Sequence, residues 1–225
     1  MNSAIIVAAG SGTRFGAEKP KQFLEICGKP LLIHTLEKFE NCAAIDEIVL
    51  ILSESEIETF QQTLKNFNLK KLSKIVGGGK TRAESVRNGI DSLDKTKVKI
   101  VAVHDGARPL VSSEEITETI EKAKEFGAVC LVGKVTDTIK RIENGKIIAT
   151  IDRENLRRAQ TPQTFRFDIL RKAFAPENFD ALATDECFLV EKAGFEVAIV
   201  EGSANNIKIT TREDFAIAEE FLKNQ

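Results

Sequence analysis

Short apolar runs punctuate the chain at Ala4–Ala8, Ile48–Leu52, Ile100–His104 and Ala128–Val132. Each has strand length and is rich in Val and Ile or Ala, the composition of strands buried on both faces. Between them, apolar residues recur at helical spacing. Leu32, Leu36 and Phe39 fall on one face of a helix predicted to begin near Pro30, and Ile57, Phe60, Leu64 and Phe67 on one face of a second. Ile116, Ile120 and Ala123 mark a third, entered through Ser112 or Ser113 as N-cap. The alternation predicts an α/β fold with a mostly parallel sheet covered on both faces, whose ligands sit beyond the carboxyl ends of the strands.

One segment breaks this rhythm. From Thr138 to Ile151, two β-prone runs flank Asn144-Gly145, a dipeptide suited to a tight hairpin turn. The expectation is a protruding β-arm at about 136–155, which either covers an active site or reaches a second subunit, because an isolated hairpin is only marginally stable in water.

Length and composition narrow the picture. A chain of 225 residues that is 42% hydrophobic predicts one domain, residues 1–225, with a single sizeable core. Its formal net charge of -2 argues against a broad nucleic-acid surface, so any cationic site is local. The start, Met1-Asn2-Ser3-Ala4-Ile5-Ile6-Val7, lacks the basic and apolar regions of a signal peptide, and no apolar run reaches the roughly 18 residues of a membrane span. Cys27, Cys42, Cys130 and Cys187 form no C-x-x-C pair. The expectation is buried free thiols in a reducing cytoplasm, with no membrane and no nucleic acid as partner.

The chemistry should lie in the loops after the strands. The first strand runs into Ala8-Ala9-Gly10-Ser11-Gly12-Thr13-Arg14-Phe15-Gly16, followed by Lys21. Small residues let a backbone approach a phosphate closely, and Arg14 and Lys21 can add full positive charge. The spacing is not that of a dinucleotide fingerprint, since the residue where its third glycine belongs is Phe15. Nor is Gly77-Gly78-Gly79-Lys80-Thr81 a Walker A loop, because Lys74 stands where the leading glycine belongs. At the end of a later strand, Asp105 should emerge as a hard oxygen ligand suited to magnesium; capping the turn or pairing with Arg108 are its other readings. His104 beside it reads better as a buried structural residue than as an acid or base.

Together with Gly78 to Val86, Val103 to Pro109, Arg153 with Thr161-Pro162-Gln163, and Asn206 to Thr210, the first loop resembles that of the 2-C-methyl-D-erythritol 4-phosphate cytidylyltransferases. The segments follow the family's order along essentially the whole chain. The resemblance implies a single Rossmann-like nucleotidyltransferase domain and a homodimer formed by β-arm exchange. It also implies a reaction in which a phosphate oxygen of 2-C-methyl-D-erythritol 4-phosphate attacks the α-phosphorus of CTP, with Mg2+ as cofactor and pyrophosphate as leaving group. Such chemistry depends on positioning and charge compensation and needs no covalent nucleophile.

By the same resemblance, Arg14 and Lys21 are the catalytic residues that stabilise transition-state charge. Arg153 and Lys208 hold the acceptor's phosphate, and Thr184, Asp137, Thr138 and Lys140 line the acceptor side. Ala8, Ala9, Gly10, Ser11, Gly12, Gly78, Gly79, Arg82, Ser85, Asp105 and Ala107 surround the nucleotide, and Asp105 is the metal ligand. Thr184 is also a natural N-cap for a helix running through Leu189, Val190 and Ala193.

Three positions depart from the family pattern: Val7 replaces a frequent proline, Lys80 a common acid and Arg157 a frequent aromatic. Lys80 is the most consequential, because it bears on base selectivity. A ribitol 5-phosphate cytidylyltransferase shares the implied fold and metal chemistry and differs in its acceptor. A longer sugar-1-phosphate nucleotidylyltransferase or a non-catalytic nucleotide sensor fits less of the chain, and the length leaves no room for a fused second enzyme of the same pathway.

Overall fold

The computed structural model describes residues 1–10 and 20–224. Ser11, Gly12 and Arg14 lie outside the described residues.

In chain order the elements are β1 (Asn2–Val7), β2 (Glu25–Ile26), β3 (Lys29–Pro30), α1 (Leu31–Asn41), β4 (Glu47–Leu52), α2 (Glu54–Leu64), β5 (Leu72–Gly77), α3 (Arg82–Ser92) and β6 (Ile100–Asp105). There follow α4 (Ser113–Phe126), β7 (Ala128–Lys134), β8 (Ile139–Glu143), β9 (Lys146–Ile151), β10 (Arg157–Arg166), α5 (Phe167–Ala173), α6 (Glu186–Lys192), β11 (Ala198–Glu201) and α7 (Arg212–Lys223). A short 3-10 turn, Lys21–Phe23, precedes β2.

A seven-stranded sheet runs in the order β11-β7-β10-β6-β1-β4-β5. Its pairings are parallel except those of β10, which lies antiparallel between β6 and β7. Strand alternation divides the core. Ile5, Val49, Ile51, Val101 and Val103 face α3, α5 and α6, whereas Ala4, Ile6, Ile48, Leu50 and Ala102 face α1, α2 and α4. All four apolar runs are therefore strands buried on both faces, as their composition predicts.

Several local expectations are corrected. Strands β5 and β10 have no apolar run to announce them, and β11 has only the four-residue run Val197–Val200. β10 carries buried Gln160, Thr161, Gln163 and Thr164, and accommodates Pro162 through a register shift between Ala159 and Gln163, where the ladder is interrupted. Phe67 lies beyond the end of α2 yet packs against the same cluster as Ile57 and Leu64. Thr184 is not the N-cap of α6. Asp185 is, its carboxylate accepting from Phe188 N at 2.9 Å, while Thr184 is exposed one residue upstream. The run Ile207–Thr210 is extended chain outside the sheet, tied by Ile209 N to Ala107 O at 2.9 Å.

Strands β8 and β9 pair only with each other, through a turn in which Asn144 and Gly145 both have positive φ, 49° and 75°. That is the geometry the dipeptide predicts. Ile142 and Ile147 are each 65% exposed and Ile148 is 52% exposed.

Candidate active site

Strands β6 and β1 are neighbours and β5 lies beyond β4 at the edge of the sheet, and the loops leaving these three strands enclose a pocket of about 500 Å³. That volume falls in the range of small-ligand sites. Its described lining comprises Val7, Ala8, Ala9 and Gly10 after β1; Gly79, Lys80, Thr81, Arg82 and Ser85 around the start of α3; Asp105 and Ala107 after β6; and Lys21, Gln22, Lys208 and Thr210.

Close backbone approach explains the glycines. A Cβ at Gly78 would lie 2.4 Å from that of Ala9, and one at Gly79 would lie 2.3 Å from that of Glu84. The loops after β1 and β5 thus touch only because residue 78 has no side chain. Helix α3 then starts with a capping box: Thr81 Oγ1 accepts from Glu84 N, and Glu84 Oε2 accepts from Thr81 N and Lys80 N. Ser85 Oγ accepts from Gly79 N at 3.1 Å and donates to Thr81 O at 2.8 Å, fixing the rim.

Asp105 is the electrostatic centre. It is 7% exposed and is the only carboxylate among the described lining residues. Its Oδ2 lies 2.9 Å from Lys208 Nζ and 3.4 Å from Arg108 Nε, and its Oδ1 lies 3.1 Å from Arg82 Nε. Burial opposes the charged form, but Arg82, Lys208 and Arg108 prevail and hold the carboxyl well below the usual carboxylate range. The sequence alternative of an Asp105–Arg108 pair is realised together with the pocket position.

Behind Asp105, a polar chain fixes the strand end. Asp105 N donates to Thr161 Oγ1 at 3.1 Å, and Thr161 Oγ1 lies 3.0 Å from His104 Nδ1. His104 Nε2 lies 3.1 Å from Arg108 O, a carbonyl that can only accept, so Nε2 carries the proton and Thr161 donates to Nδ1. Burial lowers the His104 pKa to about 4, keeping the ring neutral against Phe39. His104 is structural, as its sequence context predicts.

On the other wall, Lys21 Nζ donates to Ile209 O at 2.5 Å, which ties the 3-10 turn to the segment carrying Lys208. Gln22 Nε2 donates to Ala8 O at 2.9 Å and Gly10 O at 3.0 Å, anchoring the first loop where it leaves β1.

The structure thus gathers Ala8, Ala9, Gly10, Lys21, Gly79, Arg82, Ser85, Asp105, Ala107 and Lys208 at one cavity, with Gly78 supporting its wall. It does not bring Arg153, Asp137, Thr138, Lys140 or Thr184 to that lining. Arg153 donates to Thr136 O at the root of the arm, and Lys140 Nζ donates to Thr150 Oγ1 at 2.7 Å across it. Arg153, Asp137, Thr138 and Lys140 are all exposed.

Sequence reasoning assigned no role to Gln22, Thr161 or Glu186. Glu186 is 1% exposed and grips Arg82, with Nη1 to Oε1 at 2.5 Å and Nη2 to Oε2 at 3.1 Å. A signal was present: on a helix, Glu186 shares a face with Leu189 and Val190, and an acid on an apolar face needs a buried cation.

Comparison with known proteins agrees with this arrangement. A family model described as 2-C-methyl-D-erythritol 4-phosphate cytidylyltransferase matches residues 2–224. A relative so named from Alkaliphilus metalliredigens is 43% identical over 226 residues, covering 99% of this chain and 93% of its own. Another from Bacillus licheniformis is 44% identical, covering 99% and 96%. The solved structure of 4-diphosphocytidyl-2C-methyl-D-erythritol synthase from Anaerococcus prevotii has a TM-score of 0.84 at 31% identity, covering 99% of this chain and 98% of that one.

Proposed function

The chain belongs to the 2-C-methyl-D-erythritol 4-phosphate cytidylyltransferase family, and from that premise we propose how its residues divide the work of joining CTP to 2-C-methyl-D-erythritol 4-phosphate. The enzyme is a CTP-dependent nucleotidyltransferase of non-mevalonate isoprenoid biosynthesis. A phosphate oxygen of the acceptor forms a bond to the α-phosphorus of CTP, the bond from that phosphorus to the bridging oxygen of the β-phosphate breaks, and pyrophosphate leaves.

Both reactants are anions, so the residues must compensate charge where it develops. Lys21 and Arg14 act on the triphosphate and on the transition state. The backbone from Ala8 to Gly12 and the rim of Gly78, Gly79, Ser85 and Ala107 hold the nucleotide, with Arg82 beside them as a fixed charge. The observation that carries this division is a pocket lined by Lys21, Lys80, Arg82 and Lys208 together with Asp105, the single carboxylate of its described lining. One carboxylate completed by substrate phosphate oxygens and water suits Mg2+, so the donor set fits, and Asp105 is the residue that would hold the ion. When bound, the ion supplies charge neutralisation to the departing pyrophosphate.

The acceptor side uses Lys208 from the same chain, a residue of the pocket lining whose Nζ lies 2.9 Å from Asp105 Oδ2. Arg153, Asp137, Thr138 and Lys140 are on or beside the arm and away from that lining. Exchange of arms in a homodimer would bring Arg153 of the partner subunit to the pocket, and the exposed isoleucines of β8 and β9 support that reading. Thr184, exposed just before α6, borders the acceptor in the same scheme. The compartment in this reading is the cytoplasm, which the four free thiols support; three are buried as expected, whereas Cys27 is exposed. Among the described residues no helix is long and apolar enough to cross a membrane.

Pyrophosphate release with CTP and Mg2+ tests the assignment, comparing 2-C-methyl-D-erythritol 4-phosphate with ribitol 5-phosphate. Turnover with the first acceptor alone is expected. Turnover with ribitol 5-phosphate alone would move the acceptor assignment, and turnover with neither would overturn the activity.

A further inference from the structure

Arg82 is the first residue of α3, and its guanidinium is committed on two sides. Nε points to Asp105 Oδ1 at 3.1 Å, and the two terminal nitrogens grip both oxygens of Glu186 at 2.5 and 3.1 Å. A guanidinium so forked cannot swing to a phosphate without stranding Glu186, which is 1% exposed, and leaving a buried carboxylate unpaired is strongly unfavourable. Arg82 is therefore a fixed strut for Asp105.

The other cations on Asp105 are held differently. Arg108 has the neutral Asn206 carbonyl as its further acceptor, at 2.8 Å, and Lys208 lies at the pocket lining. Among the described residues, Arg82 alone of the three pairs with a second carboxylate. The strut thus delivers a directed hydrogen bond to Asp105 while its charge is balanced from behind.

We propose that Glu186 is a positioning residue of the transferase: by neutralising Arg82, it lets Arg82 orient Asp105 without adding positive charge that would oppose the metal ion. The proposal rests on the reading of Asp105 as metal ligand. It carries a signature with two opposite signs. Losing the Glu186 charge leaves Arg82 uncompensated beside the pocket, which disfavours a divalent cation and favours a triphosphate. A packing role for Glu186 would weaken both.

The test uses Glu186→Gln, which keeps size and shape. CTP binding is measured by calorimetry in the presence of a chelator, and Mn2+ binding to the protein–CTP complex by electron paramagnetic resonance. Metal-free CTP affinity should be unchanged or several-fold tighter, while metal affinity should fall on the order of tenfold, as expected for one uncompensated charge a few ångströms away in a partly solvated site. Glu186→Asp, which keeps the charge, should restore the metal affinity towards that of the wild type.

Leu189→Ala, a fully buried change on the same helix, serves as the stability control. Parallel weakening of CTP and metal in Glu186→Gln, as in that control, would overturn the proposal, and so would no change in either. Asp105→Asn separates the two readings. If it leaves metal affinity intact, the assignment of Asp105 fails and the proposal falls with it; if it weakens the metal and Glu186→Gln does not, the proposal alone fails.

Discussion

At the pocket, Arg82, Arg108 and Lys208 converge on a carboxylate that is 7% exposed, whereas on the β8–β9 arm Ile142 and Ile147 stand 65% exposed to solvent. Charge is buried in the first region and apolar surface is left out in the second. Buried charge is tolerated only when paired and hydrogen-bonded, and the pocket meets that condition from its own chain. Exposed apolar side chains on an isolated hairpin gain nothing from water and contribute little until covered. In the proposed scheme the nucleotide half of the site, as far as the described residues go, is finished within one chain, while the arm, with Arg153 at its root, is the part that a second copy would complete.

Breaking the finished half should have the largest effect. Lys21→Ala should lower turnover by roughly a hundredfold or more, as loss of a transition-state charge stabiliser does, measured by pyrophosphate release at saturating substrates. Near-normal turnover would remove Lys21 from the catalytic role. Lys208→Ala should raise the KM for the phosphorylated acceptor by about tenfold or more, the scale of one charged hydrogen bond, with a smaller change for CTP. An effect confined to CTP would show that the two sides of the pocket have been assigned in reverse.

Breaking the unfinished half should cost assembly before chemistry. Ile147→Asp places a charge on the arm's apolar surface and should shift the protein from dimer to monomer in sedimentation, with activity falling in step and CTP binding retained. A monomeric wild type would contradict the exchange. The smallest effect should be on stability. Burial, the largest influence on His34, lowers its pKa below the ordinary histidine value of 6.5, while its hydrogen bond to Ile26 O acts the other way. As the pH falls through 6.5 the unfolded chain takes up the proton first, so stability conferred by neutral His34 is present above that pH and declines below it. His34→Gln should flatten that part of the melting-temperature profile.

The difference between the halves also explains what could be read in the sequence. Runs such as Ile48–Leu52 announce strands buried on both faces, and Asn144-Gly145 announces its turn, because in both cases local chemistry decides the outcome. β10 was illegible because most of its buried residues are polar, with Gln163 Oε1 accepting from Glu186 N and Cys187 N at 3.0 Å each. Those partners lie on a helix more than twenty positions away in sequence, a distance no local pattern spans. Thr184 and Asp185 are both good caps by type, and only the path of the chain into α6 selects Asp185. At the site, Asp105 and Lys208 were legible as chemical types, but their direct contact at 2.9 Å depends on the extended segment after β11 returning to the pocket.

Subunit complementation tests the two-chain site most directly. Lys21→Ala and Arg153→Ala proteins, each impaired alone, would be mixed, allowed to exchange subunits, and assayed for cytidylyl transfer. Arm exchange places both substitutions in one site of each mixed dimer and leaves the other site intact, so activity should reappear at about a quarter of the wild-type level when subunits mix at random. A mixture that forms mixed dimers yet stays as inactive as its parents would contradict the shared site and return Arg153 to the chain that carries it.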